Sequence, residues 1–295
     1  MTRTLIRFLR RLLVFALGVF TAWFLVFVVF RFADHQLHWM LAVALTYGLA
    51  AYLVLPRVVR ISLKILQRKH VPRYTITGDG LPGDPVNLVL VGTLDQLRAA
   101  FAHAGWSPAD RLSLASSWRM ARAFILNRPY PTAPFSTLYL FGRGQDIGFQ
   151  KAIDDSPRKR HHVRFWALSV TRAVATVGTE SLWHEAEPPA PHEHNFWVGA
   201  ATKDTGLSLT WLTFQFTHAT DADTNAERDF VIAELVAKRV IAGANSYKAN
   251  QRLQVAPVNH YVTDGEVTVA NLIAGTPAGA SSSTSAPAVP TMQSP

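Results

Sequence analysis

Two long apolar runs open this chain, and a period-two alternation dominates its second half. Leu12 to Phe30 (LLVFALGVFTAWFLVFVVF) and Leu37 to Leu55 (LHWMLAVALTYGLAAYLVL) contain no Asp, Glu, Lys or Arg. At about 1.5 Å of rise per helical residue, each suffices for the ~30 Å hydrocarbon layer of a bilayer. The intervening RFADHQ is long enough only for a tight turn, so residues 1–56 are expected to form a two-helix transmembrane hairpin with spans at about 12–30 and 37–55. A cleaved signal peptide would also begin with a basic stretch such as Arg3, Arg7, Arg10 and Arg11. Against it, the apolar run is too long, no small-x-small cleavage site follows, and a second apolar run comes directly after.

Past Pro56, Arg57, Arg60, Lys64 and Arg68 alternate at helical spacing with Val58, Val59, Ser62, Leu63 and Leu66. Residues 57–83 therefore read as a basic juxtamembrane segment lying along anionic headgroups, followed by a Gly/Pro-punctuated linker, GDGLPGDP. The folded domain is placed at 84–275. In it VNLVLVG (86–92) reads as a buried strand. Thr93 caps a helix that presents Leu94, Leu97, Phe101 and Ala104 on one face and stops at Gly105. Ser107 and Pro108 open a second helix, running to about Leu126. After NRPYPTAP the period becomes two: STLYLFG, RHHVRFWAL, NFWVGAAT, the single run LSLTWLTFQFTH and a hairpin at Asp264-Gly265 read as strands, with a helix over 224–241. That order predicts an α+β domain with a mixed, mainly antiparallel sheet and helices packed on it. The last twenty residues, 276–295, have almost nothing to bury and are expected to be disordered.

Charge changes the picture once it is located. The net charge is +9, but eleven of the 29 Lys and Arg, and one of the 20 Asp and Glu, fall in residues 1–74, which leaves 18 basic against 19 acidic in the remainder. A near-neutral domain argues against a phosphate-tracking nucleic-acid groove. Four Arg precede the first span, six basic residues follow the second, and the turn between them holds only Arg31. The positive-inside rule then predicts a multi-pass protein of the inner membrane with both termini in the cytoplasm. The lipid bilayer is the expected partner, with anionic headgroups or another membrane protein beside it, for which Thr46 and Gly48 offer a small packing face. The cysteine count is zero, which excludes disulfides, thiolate nucleophiles and Cys metal sites.

Five motifs occur in order: DPVNLVLVGTLDQLRAAFAHAGW, RPYPTAPFSTLYLFGRGQDIGFQK, SPRKRHHVRFW, WVGAATKD and HATDADTNAERDF. Together they resemble the LssY C-terminal domain family across roughly residues 84–275. In that family the domain is often appended to integral-membrane modules, lipid-phosphatase and DedA-type ones among them. The resemblance thus implies a membrane context and no mechanism of its own. This chain has two apolar spans and nothing like the PSGH and SR…H…D motifs of a membrane lipid phosphatase, so no phosphatase activity is carried over.

Candidate chemistry comes from strand alternation. His161 shares a face with Val163, Phe165 and Ala167, while His162 points away with Arg164 and Trp166. His218 shares a face with Leu212, Phe214 and Phe216, so His161 and His218 would converge if their strands were neighbours. With Asp221 and Asp223 close behind, these are the catalytic candidates, and His161, His218 and Asp221 are the candidate ligands of a divalent metal that would activate water in a hydrolase. The competing reading makes the acids helix-capping groups, because Thr224-Asn225-Ala226-Glu227 fits a capping box. Arg143, Gln145, Asp146, Gln150, Arg160 and Arg164 are candidate ligand-binding groups. The simpler role for Arg143 and Asp146 is to hold a neighbouring strand. His184, His192 and His194 lie in a Pro/Glu-rich loop that makes a poor preorganised site. Two readings follow: a noncatalytic binding or accessory module at the inner membrane face, or a membrane-tethered, metal-dependent hydrolase.

Overall fold

The structure is a computed structural model and describes residues 2–66, 74–169, 193–210, 212–241, 243–247 and 261–273. The expected disordered tail and the loop holding His184 and His192 lie outside these residues.

Two helices long and apolar enough to cross a membrane come first, α1 (Leu5–Gln36) and α2 (Trp39–Leu66). They meet at a sharp turn where His38 and Leu37 leave the helical conformation. Almost none of either is buried, and Phe8, Phe15, Phe20, Trp39 and Leu41 stand largely exposed. A soluble core helix would not leave such side chains in water. The second helix does not end at Pro56 as its apolar run suggested. It continues to Leu66, so the basic stretch begins as the last turns of α2, and Arg60 reaches the carbonyl of Gly78.

The expected linker is instead part of the fold. β1 (Tyr74–Ile76) and β2 (Pro82–Pro85) pair antiparallel across a turn closed by Thr77, whose N–H donates to the Leu81 carbonyl. With β5 (Tyr139–Leu140) and β6 (Arg143–Gly144) they form a small sheet ordered β2-β1-β5-β6. The Gly/Pro pattern marked the turn correctly, but pairing with β1 makes Pro82–Pro85 a strand, with Asp84 buried in it.

The large sheet is ordered β11-β12-β3-β9-β8-β7-β4, with β10 extending β9. Its strands are β3 (Leu88–Gly92), β4 (Ser107–Pro108), β7 (Ile147–Ala152), β8 (Arg160–Ser169), β9 (Asn195–Leu209), β10 (Phe216–Thr220), β11 (Asn245–Tyr247) and β12 (Val267–Asn271). Pairing is antiparallel except between β12 and β3. This is the predicted α+β arrangement. Helices α3 (Leu94–His103) and α5 (Thr224–Ala237) carry Leu97, Phe101, Val231 and Leu235 into a core with Leu88, Leu90, Phe149, Val163, Phe165 and Trp197. α3 starts at the Thr93–Gln96 capping box, and the chain leaves it through Gly105 at φ +78°. On the opposite face Leu138, Leu140 and Phe141 pack on Trp166, Leu168 and Ala200.

Three local expectations are corrected. Ser107 and Pro108 do not open a helix; they form β4 against β7, and α4 (Leu114–Leu126) begins only after Ser113, whose hydroxyl accepts the Ser116 N–H. LSLTWLTFQFTH is not one strand: β9 ends at Leu209 and β10 begins only at Phe216, with Phe214 between them at φ +53°. Gly265 (φ +75°) turns the chain into β12, whose antiparallel partner is β11.

Candidate functional site

Two pleated strands assemble the most polar part of the interior. Along β8 the alternation sends Arg160, His162 and Arg164 to the face away from α3 and α5. Along β9, Thr202 and Asp204 follow the same parity, since Thr202 pairs with His162 and Asp204 with Arg160. Gln150 of β7 completes the row beside His162. Asp84 from β2 and Tyr261 close the cluster, and all of these but Tyr261 are buried.

The contacts are dense. Arg160 Nε donates to Asp204 Oδ2 at 2.8 Å, and its Nη1 donates to Gln150 Oε1 at 2.6 Å. Arg164 Nη1 donates to both Asp84 Oδ2 and His162 Nε2. The Thr202 hydroxyl also meets His162 Nε2 at 2.7 Å, and His162 Nδ1 lies 3.5 Å from Asp204 Oδ1. Tyr261 donates to Asp84 Oδ1 at 2.8 Å. His218, on β10, brings Nδ1 to 3.7 Å from Asp204 Oδ2. Phe135 covers the cluster, its ring stacked on His162 at 5.5 Å and facing the Arg164 guanidinium at 4.5 Å.

The charges are balanced, two carboxylates against two guanidiniums, and the ionisation follows. Burial pushes the Asp84 carboxyl up, but the Arg164 guanidinium, with the His162 and Tyr261 contacts, outweighs it and holds the group down to about 2. Asp204 is likewise held low against its burial by His162, Arg160 and His218. Burial pushes the His218 imidazole down to about 4, with Arg160 and His162 opposing protonation and Asp204 favouring it. Burial and the Asp84 carboxylate raise the Tyr261 phenol well above its ordinary range. A cavity of about 10 Å³ beside Arg160, Gln150, Tyr130 and Ser156 has room for about one water.

The sequence candidates divide between the two faces. His161 lies on the helix side, its Nδ1 at 2.8 Å from Glu227 Oε2 and its ring stacked on Phe230 at 4.0 Å. His161 and His218 therefore do not converge. The partner of His218 is Asp204, because adjacent residues of one strand point to opposite faces and it is His162 that faces His218's side. Asp221 sits near the surface, 4.0 Å from Lys203 Nζ, so the proposed His161, His218 and Asp221 ligand set is not brought together. Among the described residues no group of three or more His, Asp and Glu is arranged to hold a metal ion.

Asp223 rather than Thr224 caps α5, accepting the Asn225 and Ala226 N–H groups at 3.1 and 3.0 Å. Glu227 is thereby free of capping and bonds His161. Arg143 and Asp146 hold a strand as their simpler reading had it: Asp146 Oδ2 accepts the Ala167 N–H at 2.7 Å, and Arg143 donates to the Ala167 carbonyl. Gln145 Oε1 accepts the Leu138 N–H at 2.9 Å. Asp84, His162, Thr202, Asp204 and Tyr261 were not among the candidates. The signal that marks three of them is parity: a strand face reading Arg-His-Arg beside one reading Thr-x-Asp needs mutual neutralisation if it is covered.

The family model described as LssY C-terminus matches residues 68–267. The chain belongs to this family. The match begins before β1 and ends at the first residue of β12, so the small sheet, every other strand of the large sheet and the whole polar cluster fall within the LssY C-terminus segment. No curated protein and no solved structure matches the chain.

Proposed function

We propose that this LssY C-terminus protein is a noncatalytic binding module anchored in the inner membrane. Its two apolar helices cross the bilayer with both ends cytoplasmic, and its domain grips anionic lipid at the inner face. The observation that carries this reading is the outer face of α4. Leu114, Trp118 and Ile125 are 93, 74 and 77% exposed, and at 100° per residue they form one stripe opposite the buried Ser116 and Ala123. Arg119 and Arg122 flank the stripe on one side, and Arg128 follows it. An apolar stripe edged with arginine fits an anionic lipid surface: the side chains enter the acyl boundary and the guanidiniums meet phosphates. The distribution of Arg and Lys around the two spans supports the orientation.

The polar cluster favours a structural role over a reactive one. Each of its carboxylates already faces a guanidinium, which opposes a cation at the same place. One arrangement speaks for the hydrolase reading, namely His162 and His218 bracketing Asp204.

Full-length protein in nanodiscs of phosphatidylcholine, with and without phosphatidylglycerol, separates these readings. Amide exchange in α4 should slow when phosphatidylglycerol is present, and Trp118→Ser with Ile125→Ser should abolish that protection. Equal exchange in both discs sinks the binding reading. Metal-dependent phosphoester turnover lost in a folded His218→Ala variant establishes the hydrolase in its place.

A further inference from the structure

Beyond the main body of the sheet, the end of β9 and all of β10 project as a two-stranded ribbon. Leu209 pairs with Phe216 and Leu207 with His218, and opposite residues share a face, so Leu207, Leu209 and Phe216 form an apolar side that runs down to His218 and the polar cluster. Leu207, Leu209, Phe214 and Phe216 are each more than half exposed. From Thr205 to Thr217 there is no Asp, Glu, Lys or Arg. In water this would be an exposed hydrophobic patch at a loop tip, where polar residues are usual.

The tip is docked on α2. Tyr47 Oη donates to the Phe214 carbonyl at 2.6 Å, Gln215 Nε2 donates to the Ala51 carbonyl at 2.9 Å, and the Phe216 N–H donates to Tyr52 Oη at 3.2 Å. Ala51 lies where α2 widens into a π-helical turn over Ala50–Val54, a winding that alters the carbonyl pairing of the helix. The turn closes its own polar groups as well. Thr210 N–H donates to the Gln215 carbonyl, Phe214 N–H to the Thr210 carbonyl, and Gln215 N–H to the Thr210 hydroxyl, which also meets that of Thr213. Irregular backbone survives at membrane depth only when its polar groups are satisfied by protein, and this tip meets that requirement at each of these groups.

Two lengths agree. Tyr47 precedes Pro56 by nine residues, which is about 14 Å of helix. The extension from Thr205 to Leu209 spans about 17 Å of strand. Either distance takes the tip across roughly one leaflet of hydrocarbon.

We infer that the β9–β10 ribbon is a third membrane element, inserted into the cytoplasmic leaflet beside α2 with lipid acyl chains covering Leu207, Leu209, Phe214 and Phe216. The inference rests on the reading of α1 and α2 as spanning helices. It sets His218 and Asp204, at the root of the ribbon, at the level of the headgroups.

The chain has no cysteine, so single-cysteine variants carry a fluorophore at one place only. Full-length Leu207→Cys, Leu209→Cys and Phe214→Cys, with Val26→Cys in α1 and Arg98→Cys on α3 as references, are labelled and reconstituted in phosphatidylcholine–phosphatidylglycerol vesicles containing lipids with a nitroxide at a shallow or deep chain position. The expected result is that lipid nitroxides remove at least half the emission at 207, 209 and 214. The shallow quencher should act most strongly at 207 and the deep one at 214, with Val26 quenched and Arg98 not. If Val26 is quenched while the ribbon labels respond only to aqueous iodide, the ribbon is in water and the inference falls, leaving the anchor intact. Ribbon labels shielded from both quenchers overturn lipid as the occupant in favour of another protein surface. No lipid quenching at Val26 removes the anchor and the inference together.

Discussion

Asp204 Oδ2 accepts the Nε–H of Arg160 at 2.8 Å, with only 2 and 3% of the respective side chains reaching solvent. Breaking a buried pair from one side is costly because the remaining charge has neither water nor partner. Arg160→Ala is therefore expected to destabilise the folded domain by about 3–5 kcal/mol, read from denaturant unfolding in detergent micelles. Replacing both partners, Arg160→Met with Asp204→Leu, should cost less than the single change. A double variant weaker than the sum of its parts would contradict coupling between them.

The depressed His218 imidazole gives a pH signature. In the unfolded chain the ring protonates near 6.5, and in the folded one near 4. Between those values the unfolded state binds more protons, so stability is full above about 6.5 and falls as pH drops toward about 4. The loss is on the order of 3 kcal/mol. His218→Gln should flatten stability over that interval while leaving the more acidic loss from Asp84, held to about 2, in place. An unchanged pH profile in the variant would show that His218 is not the titrating group.

Gly148 marks the closest approach over the cluster. A Cβ there would lie 2.2 Å from Phe135 Cζ and 2.6 Å from its Cε2. Gly148→Ala should destabilise by about 1–3 kcal/mol through overpacking. Adding Phe135→Leu should recover part of that, since the clashing atoms leave. Thermal melts of the two variants check it, and no recovery would place the strain elsewhere.

Asp223, and not Thr224, caps α5. Asp223→Ala is expected to cost about 1 kcal/mol. Glu227→Gln should leave the cap intact and disturb the contact with His161, visible as a shift of the His161 ring resonances. If Asp223→Ala is neutral by denaturant unfolding, the cap contributes nothing.

The ends of the legibility scale are clear in particular residues. Local signals carried through where one short stretch settles the structure: Thr93 and Gln96 cap α3, Gly105 ends it, and the uncharged runs make helices. Boundaries failed where a distant residue decided them. Nothing within GDGLPGDP announces that Asp84 will be buried against Arg164, eighty positions away. The run LSLTWLTFQFTH reads as one strand because its turn contains no glycine, proline or asparagine; Phe214 adopts a left-handed backbone instead.

The cluster shows the same division. Strand parity alone put His161 and His162 on opposite faces of β8, and that held. Choosing which face bears the polar centre required knowing what covers each side: α3 and α5 over His161, Phe135 and β2 over His162. Thus the sequence by itself determined the two apolar helices, the family, the strand periodicity and the caps, because these depend on neighbours within a few residues. Only tertiary structure decided the partner of His218, the pairing of Arg160 with Asp204 and the docking of Gln215 on Ala51. Those contacts join residues 14, 44 and 164 positions apart, and which of them form depends on strand order and on what packs over each face, neither of which is written in local sequence.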